Sequence, residues 1–407
     1  MRAPNPFAIF FVLIAFLFLT ACGDDVVDGD GDCPDGQILH PVSGTCVTPS
    51  SNQTGPNQTD PNQTDPNQTN PNQTDPNQTN PNQTNPNNTE QPCGTGRVEG
   101  LACTPDGNTL SSASITLSGT DCEGNAFSLE TTSDSAGYYT FEDVPAGNQE
   151  LVVTSGSFSG TRIVQVHPDQ TTDLRDEAEK VCVAGDSARI AVIQGTWDDV
   201  GSLLDSMDIE YDIVGSDQLS GTYTSNDARN FLTDYNAMTE YDIIFIECGN
   251  LHDRISGSMA QIRSNLQFFV HNHGGSLYAS DYAYQFIEEP FPDAVNFLGK
   301  EGGEDQTVMA RVVSTPMLSL LGSSQAEIYF NLDHWVVMAS AGPDSVVHFE
   351  GDPQLMNGTT HNNAPFLVSF SPPSSSGQAI FTSFHNSAQD GMEGDMEEIL
   401  RFLIFQL

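Results

Sequence analysis

The chain has 407 residues and sets 12 Lys and Arg against 55 Asp and Glu, a formal net charge of −43. Its only lysines are Lys180 and Lys300, so the clustered cations that phosphate backbones require are missing, which argues against nucleic acid and against electrostatic attachment to anionic lipid. At 37% hydrophobic the chain can bury real cores, and its length allows two or three domains.

Arg2 precedes an apolar run from Phe7 to Leu19, too short for a membrane span, which reads as a secretory signal. The tetrad Leu19-Thr20-Ala21-Cys22 resembles the bacterial lipobox, in which the cysteine is lipidated and becomes the first mature residue. That resemblance implies a lipoprotein signal peptide at 1–21, an anchor on Cys22, and, with Gly23 following, residence at the outer membrane. An ordinary signal peptide with a chance cysteine is the alternative. Acyl chains contribute about 0.8 kcal/mol per buried methylene, enough for several of them to hold a protein on a bilayer.

Residues 22–51 form an acidic tether. Cys33 and Cys46 are close enough to staple a small loop in an exported protein. Asp28, Asp30 and Asp32 alternate before it, a spacing that resembles part of a calcium loop, although Cys33 stands where the turn glycine belongs and no glutamate closes the loop. A solvated acidic spacer is the other reading; no cofactor is expected, with calcium at these aspartates the alternative. From Asn52 a pentad of the form NQT-x-P repeats to Pro86 and trails off through Asn87-Asn88-Thr89. Proline at every fifth position blocks helix and sheet, and nothing apolar is available to bury, so 52–92 is expected to be a disordered stalk. About forty such residues reach roughly 120 Å when extended at about 3.1 Å each.

Residues 93–183 carry strand-like runs at 96–102, 113–117, 126–131, 138–141, 150–154 and 161–166, separated by turn signals such as Pro105-Asp-Gly-Asn and Asp134-Ser-Ala-Gly. That rhythm predicts a small all-β sandwich. The stretch Gly137-Tyr-Tyr-Thr-Phe-Glu-Asp-Val-Pro-Ala-Gly147 resembles the carboxypeptidase regulatory-like (transthyretin-like) domain, which implies a non-catalytic spacer or binding module. Cys103 and Cys122 are expected to pair, bridging the end of the first strand to a nearby loop; the partners of Cys93 and Cys182 stay open.

From 186 to 407 strands alternate with helical patterns, which predicts a parallel sheet covered by helices. Strands are expected at 188–194, 210–214, 241–246, 276–279, 326–330, 335–338, 346–349, 366–370 and 379–384. Thr196-Trp-Asp-Asp199 reads as a capping box opening a helix to Leu204. Met259, Ile262, Leu266 and Phe269 mark a second helix, and Met396, Ile399, Leu400 and Leu403 a last one. The pieces YDIIFIECG, VHNHGGSLYASDYAYQF and GQAIFTSFH resemble the class I glutamine amidotransferase-like fold, of flavodoxin-like α/β type.

In active members of that family a cysteine sits at a strand-to-helix elbow, a histidine ends a late strand, and a glutamate follows two residues on. Here the elbow offers Ser280 or Asp281, His385 fits the histidine position, and Ser387 stands where the glutamate belongs, with Asp390 the nearest acid. Glutaminase chemistry needs a thiolate beside an imidazole, so the missing elbow cysteine argues against it. Cys248 follows a different strand and reads as a structural or disulfide residue, with Cys182 as one potential partner. Ser280, Asp281 and His385 are the candidate catalytic set for another hydrolysis, and an Asp281 helix cap beside a satisfied histidine is the bland alternative. His271 and His273, with His252-Asp253, would bind zinc only if further ligands arrived from elsewhere.

The function expected is that of a membrane-anchored surface lipoprotein displaying a non-catalytic amidotransferase-like domain for binding or envelope structure. The alternatives are a surface hydrolase acting through Ser280 or Asp281 with His385 on a glycan, ester or amide, and a mechanical display protein. An envelope glycan or protein is the partner class that this reading implies.

Overall fold

The computed structural model describes residues 93–299, 301–386 and 395–407, together with the short antiparallel pair β1 (Ile38–Leu39) and β2 (Cys46–Val47). Cys22, the Asp28/Asp30/Asp32 cluster, Cys33, the pentad stalk, Ser387 and Asp390 lie outside the described residues. The chain divides into two compact units, Met1–Gln83 and Thr84–Leu407, and the β-sandwich and the α/β domain both belong to the second.

The sandwich is built from β3 (Thr95–Cys103), β4 (Ser114–Thr120), β5 (Ala126–Thr132), β6 (Tyr138–Pro145), β7 (Gly147–Ser155), β8 (Phe158–Val166), β9 (Thr171–Leu174) and β10 (Val181–Cys182). One sheet runs β5-β4-β7-β8; the other runs β10-β3-β6, with β9 also on β3. Alternation along β7, buried at Gly147, Gln149, Leu151, Val153 and Ser155, is the period-2 signature of a strand with one face on a core. The disulfides correct the expected pairing. β10 lies parallel to β3 with Cys182 opposite Cys103, so Cys103 bonds Cys182 and Cys122 bonds Cys93. Cys248 is free and buried. Two disulfides fit an exported chain in an oxidising compartment.

In the α/β domain, β11 (Ile190–Gln194), β12 (Asp212–Ser216), β13 (Ile243–Ile246), β14 (Ser276–Ser280), β15 (Val295–Phe297), β16 (Gln306–Val312), β17 (Gln325–Phe330), β18 (Met338–Ala341), β19 (Ser345–Gly351), β20 (Ala364–Phe370) and β21 (Ala379–Thr382) alternate with helices. The nine-stranded sheet runs β12-β11-β13-β14-β21-β20-β19-β16-β17. Its first five strands are parallel and carry the flavodoxin-like order 2-1-3-4-5. β13 and β14 are buried at every residue, as strands covered on both faces must be. The remaining four strands are antiparallel, so the sheet is mixed and not wholly parallel as expected. β16 and α7 (Thr315–Leu321), unforeseen in the sequence, extend that half.

Two local expectations are also corrected. The first helix, α1 (Val200–Ser206), is capped by Asp199, whose side chain accepts from Ser202 N, because Thr196 Oγ1 is committed to Asp217 Oδ2 at 2.6 Å. Trp335, Val336 and Val337 form no strand; they make a buried loop before β18, with the Trp335 ring stacked on Phe330 at 3.8 Å.

The last helix, α8 (Asp395–Gln406), locks the two domains together. Ser155 Oγ and Ser157 Oγ donate to the carbonyls of Phe405 and Leu407, each at 2.8 Å, while Ser276 Oγ of the central sheet reaches Leu407 O at 2.9 Å. Phe405 packs edge-on against Phe158 at 4.9 Å, within a hydrophobic core that runs continuously through both domains. Gly156, at φ +54°, sits where a β-carbon would lie 2.6 Å from the Leu407 carbonyl carbon, so only glycine fits. Among the described residues no helix is long and apolar enough to cross a membrane.

Candidate functional site

β13, β14 and β21 are adjacent and parallel, so the residues just past their carboxyl ends fall side by side: Cys248, Asp281 and His385. β14 ends at Ser280, and the chain turns through Asp281 at φ +42° into a short helical turn. A positive φ on a non-glycine residue is costly and marks the apex of a strand-to-helix elbow. Of the two residues that the sequence left open, Asp281 therefore holds the apex and Ser280 ends the strand.

Asp281 is fully buried, and both carboxylate oxygens are engaged. Oδ1 accepts the Val336 N–H at 2.6 Å; Oδ2 lies 3.0 Å from His385 Nε2 and 3.6 Å from Cys248 Sγ. His385 turns its other nitrogen, Nδ1, to Asn331 Oδ1 at 2.8 Å, just beyond β17. Asn331 thus fixes the orientation of the imidazole. Burial alone would depress the His385 pKa; the hydrogen bond and charge of Asp281, with Asp198 nearby, outweigh it and raise it. Burial, then the Asp281 charge, pushes the Cys248 thiol far above its ordinary range, which makes it a poor nucleophile.

Ser280 does not join this group. Its Oγ donates to Asp198 Oδ2 at 2.8 Å and accepts from Cys248 N at 3.1 Å. Asp198 in turn accepts the Asn386 N–H at 2.9 Å, tying the loop after β11 to the ends of β14 and β21. Glu247 sits at the mouth of α1, accepting from Val200 N at 2.7 Å and Gly195 N at 2.9 Å. Burial, followed by the Asp198 charge, lifts its pKa to about 8. Neither Asp198 nor Asn331 was singled out in the sequence. His271 and His273 are exposed on the turn that follows the second expected helix, and His252 bonds Glu289 at 2.9 Å. Among the described residues, the donors gathered closely enough to hold a metal ion are Cys248, Asp281 and His385, all within 4.8 Å of one another.

A cleft of about 640 Å³ opens beside this buried group, at the carboxyl ends of β11, β12 and β13. Gln194, Thr196, Trp197, Asp198, Gln218 and Tyr223 line it; Asp281 and His385 do not. In flavodoxin-like sheets the strand order reverses between the first and third strands, and ligands bind in the crevice there.

No curated protein matches the chain. Solved structures similar to it include a glutamine amidotransferase from Thermotoga maritima, at 9% identity over 54% of this chain and 95% of that one with a TM-score of 0.33. A glutamine amidotransferase from Methylobacillus flagellatus is similar at 11% identity over 49% of this chain and 69% of that one, TM-score 0.30. BcpA, the major pilin subunit of Bacillus cereus, is similar at 17% identity over 22% of this chain and 30% of that one, TM-score 0.16. Residues 97–177 match the family model of the carboxypeptidase regulatory-like domain, which assigns the sandwich.

Proposed function

We propose that the protein is a lipid-anchored envelope protein of the outer membrane whose α/β domain binds a ligand in the cleft at the carboxyl ends of β11, β12 and β13 and has no glutaminase activity. The observation that carries this reading is Asp281: an aspartate occupies the elbow apex, wholly buried, with both oxygens held by Val336, His385 and Cys248. A carboxylate so engaged cannot attack a carbonyl, and Cys248 is a buried thiol 3.6 Å behind it. The cleft offers Trp197 and Tyr223 beside Gln194, Thr196 and Gln218. Aromatic faces beside these amide and hydroxyl groups, with Asp198, Asp199 and Glu247 also in the lining, suit a polar ligand without negative charge, such as a neutral envelope glycan.

One observation keeps the hydrolase reading alive: His385 and Asp281 are in contact at 3.0 Å. It would require the Val336 loop to withdraw, because that loop covers Asp281 Oδ1. Purified protein decides between the two. Binding to isolated envelope glycan that falls about tenfold or more on Trp197→Ala, with no ammonia released from glutamine, supports the proposal. Hydrolysis of glutamine, an ester or a glycan that is abolished by His385→Ala in a folded variant overturns it.

A further inference from the structure

We infer that Cys248, Asp281 and His385 bind one zinc ion in the buried space they share. Asn331 presents Oδ1 to His385 Nδ1 at 2.8 Å, so Nδ1 donates and, in the neutral ring, Nε2 turns a lone pair towards Asp281 Oδ2 at 3.0 Å. Two lone pairs that close require a cation between them. A proton satisfies that pair alone. Cys248 Sγ, however, converges on the same oxygen at 3.6 Å, and a metal ion binds all three atoms at once.

The spacing fits. Tetrahedral zinc with bonds of about 2.0–2.1 Å to nitrogen and oxygen and about 2.3 Å to sulfur sets its N and O ligands about 3.3 Å apart and its S and O ligands about 3.5 Å apart. The outward atom of each donor is also held in place. Val336 N–H takes Asp281 Oδ1, Asn331 takes His385 Nδ1, and the backbone N–H of Tyr282 hydrogen-bonds the Cys248 sulfur. Such outer contacts orient first ligands and fix the histidine tautomer at metal centres. Charge agrees as well: a thiolate, a carboxylate and a neutral imidazole around a divalent ion sum to zero, which a site of nearly fully buried residues tolerates. A mixed thiolate, imidazole and carboxylate set favours zinc over magnesium or calcium. Three protein ligands are the complement of zinc centres whose fourth position takes water.

Zinc binding here is independent of any ligand in the cleft, since metal content is read on the isolated protein. The full chain is unfolded, stripped with chelator and refolded with zinc or cobalt(II). About one metal ion per chain after desalting, with a sulfur-to-cobalt charge-transfer band that Cys248→Ser removes, supports the site. Asn331→Ala should weaken binding about 10–100-fold without removing a ligand. Should Cys248→Ser fail to fold, the band in a variant carrying Cys22→Ser, Cys33→Ser and Cys46→Ser decides, because Cys93, Cys103, Cys122 and Cys182 are in disulfides. Refolded protein that retains only background metal, gives no band and melts at the same temperature with and without zinc overturns the inference.

Discussion

Asp281 Oδ2 and His385 Nε2 lie 3.0 Å apart with their side chains 0% and 2% exposed, so neither group exchanges its partner for water. Removing one member leaves the other buried without its charge partner, which costs about 3–5 kcal/mol. Asp281→Ala and His385→Ala should each lower stability by that amount, and the double substitution should cost less than the two losses added together. Denaturant unfolding of all three variants measures this coupling.

Glu247 makes the stability of the fold fall between about pH 4.5 and 8. Its folded pKa, about 8, lies above the ordinary 4.5, so the folded state holds a proton that the unfolded chain has already lost between those values. Stability is therefore complete below about 4.5 and falls as pH rises through 8. Glu247→Gln should flatten that slope, and unfolding midpoints taken from pH 5 to 9 would show the two proteins diverging by a few kcal/mol at most.

His348 acts with the opposite sign. Burial holds its pKa down to about 4, and its ring nitrogens meet Ser314 Oγ at 2.9 Å and Ser369 Oγ at 2.8 Å. Below the ordinary value of 6.5 the unfolded chain takes up a proton that the folded state refuses. Stability should drop as pH falls from 6.5 towards 4, and His348→Gln should remove that acid limb from the stability curve.

The clasp formed by α8 can be tested by truncating one ring. Phe405→Ala empties a site against Phe158 and should cost about 3–5 kcal/mol. Because the core is continuous through both domains, the variant should melt in two steps where the parent melts in one. Calorimetry distinguishes the two profiles.

The parts of this structure written in local pattern were legible in the sequence. Fully apolar runs such as Ile243–Ile246 and turn-punctuated alternation such as Gly147–Ser155 announce their strands directly. The elbow was visible too, but its apex was not, because the choice between Ser280 and Asp281 depends on Val336 and His385 taking the Asp281 carboxylate from 55 and 104 residues away. The pairing of Cys103 depends on β10 docking on β3 across 79 residues, whereas Cys122 lay near in sequence and drew the expectation. β16 was missed because Met309, an apolar residue that is 52% exposed, blurs the alternation of buried Val308, Ala310 and Val312. α2 (Ser225–Thr233) was missed for a similar reason: polar residues dominate it, and its apolar contacts are confined to Ala228, Phe231 and Leu232.

The Cys103–Cys182 bond also settles how this molecule bears tension. A pull arriving through the chain before Cys93 travels along β3 to Cys103, crosses the disulfide and enters the α/β domain at Val183. Residues 104–181 are off that route. If the sandwich came apart under load, the span from Cys93 to Val183 would lengthen by only roughly ten residues, about 35 Å, where an unbridged domain of about ninety would release some 300 Å. The bond makes the sandwich a nearly inextensible coupling between Cys93 and the α/β domain.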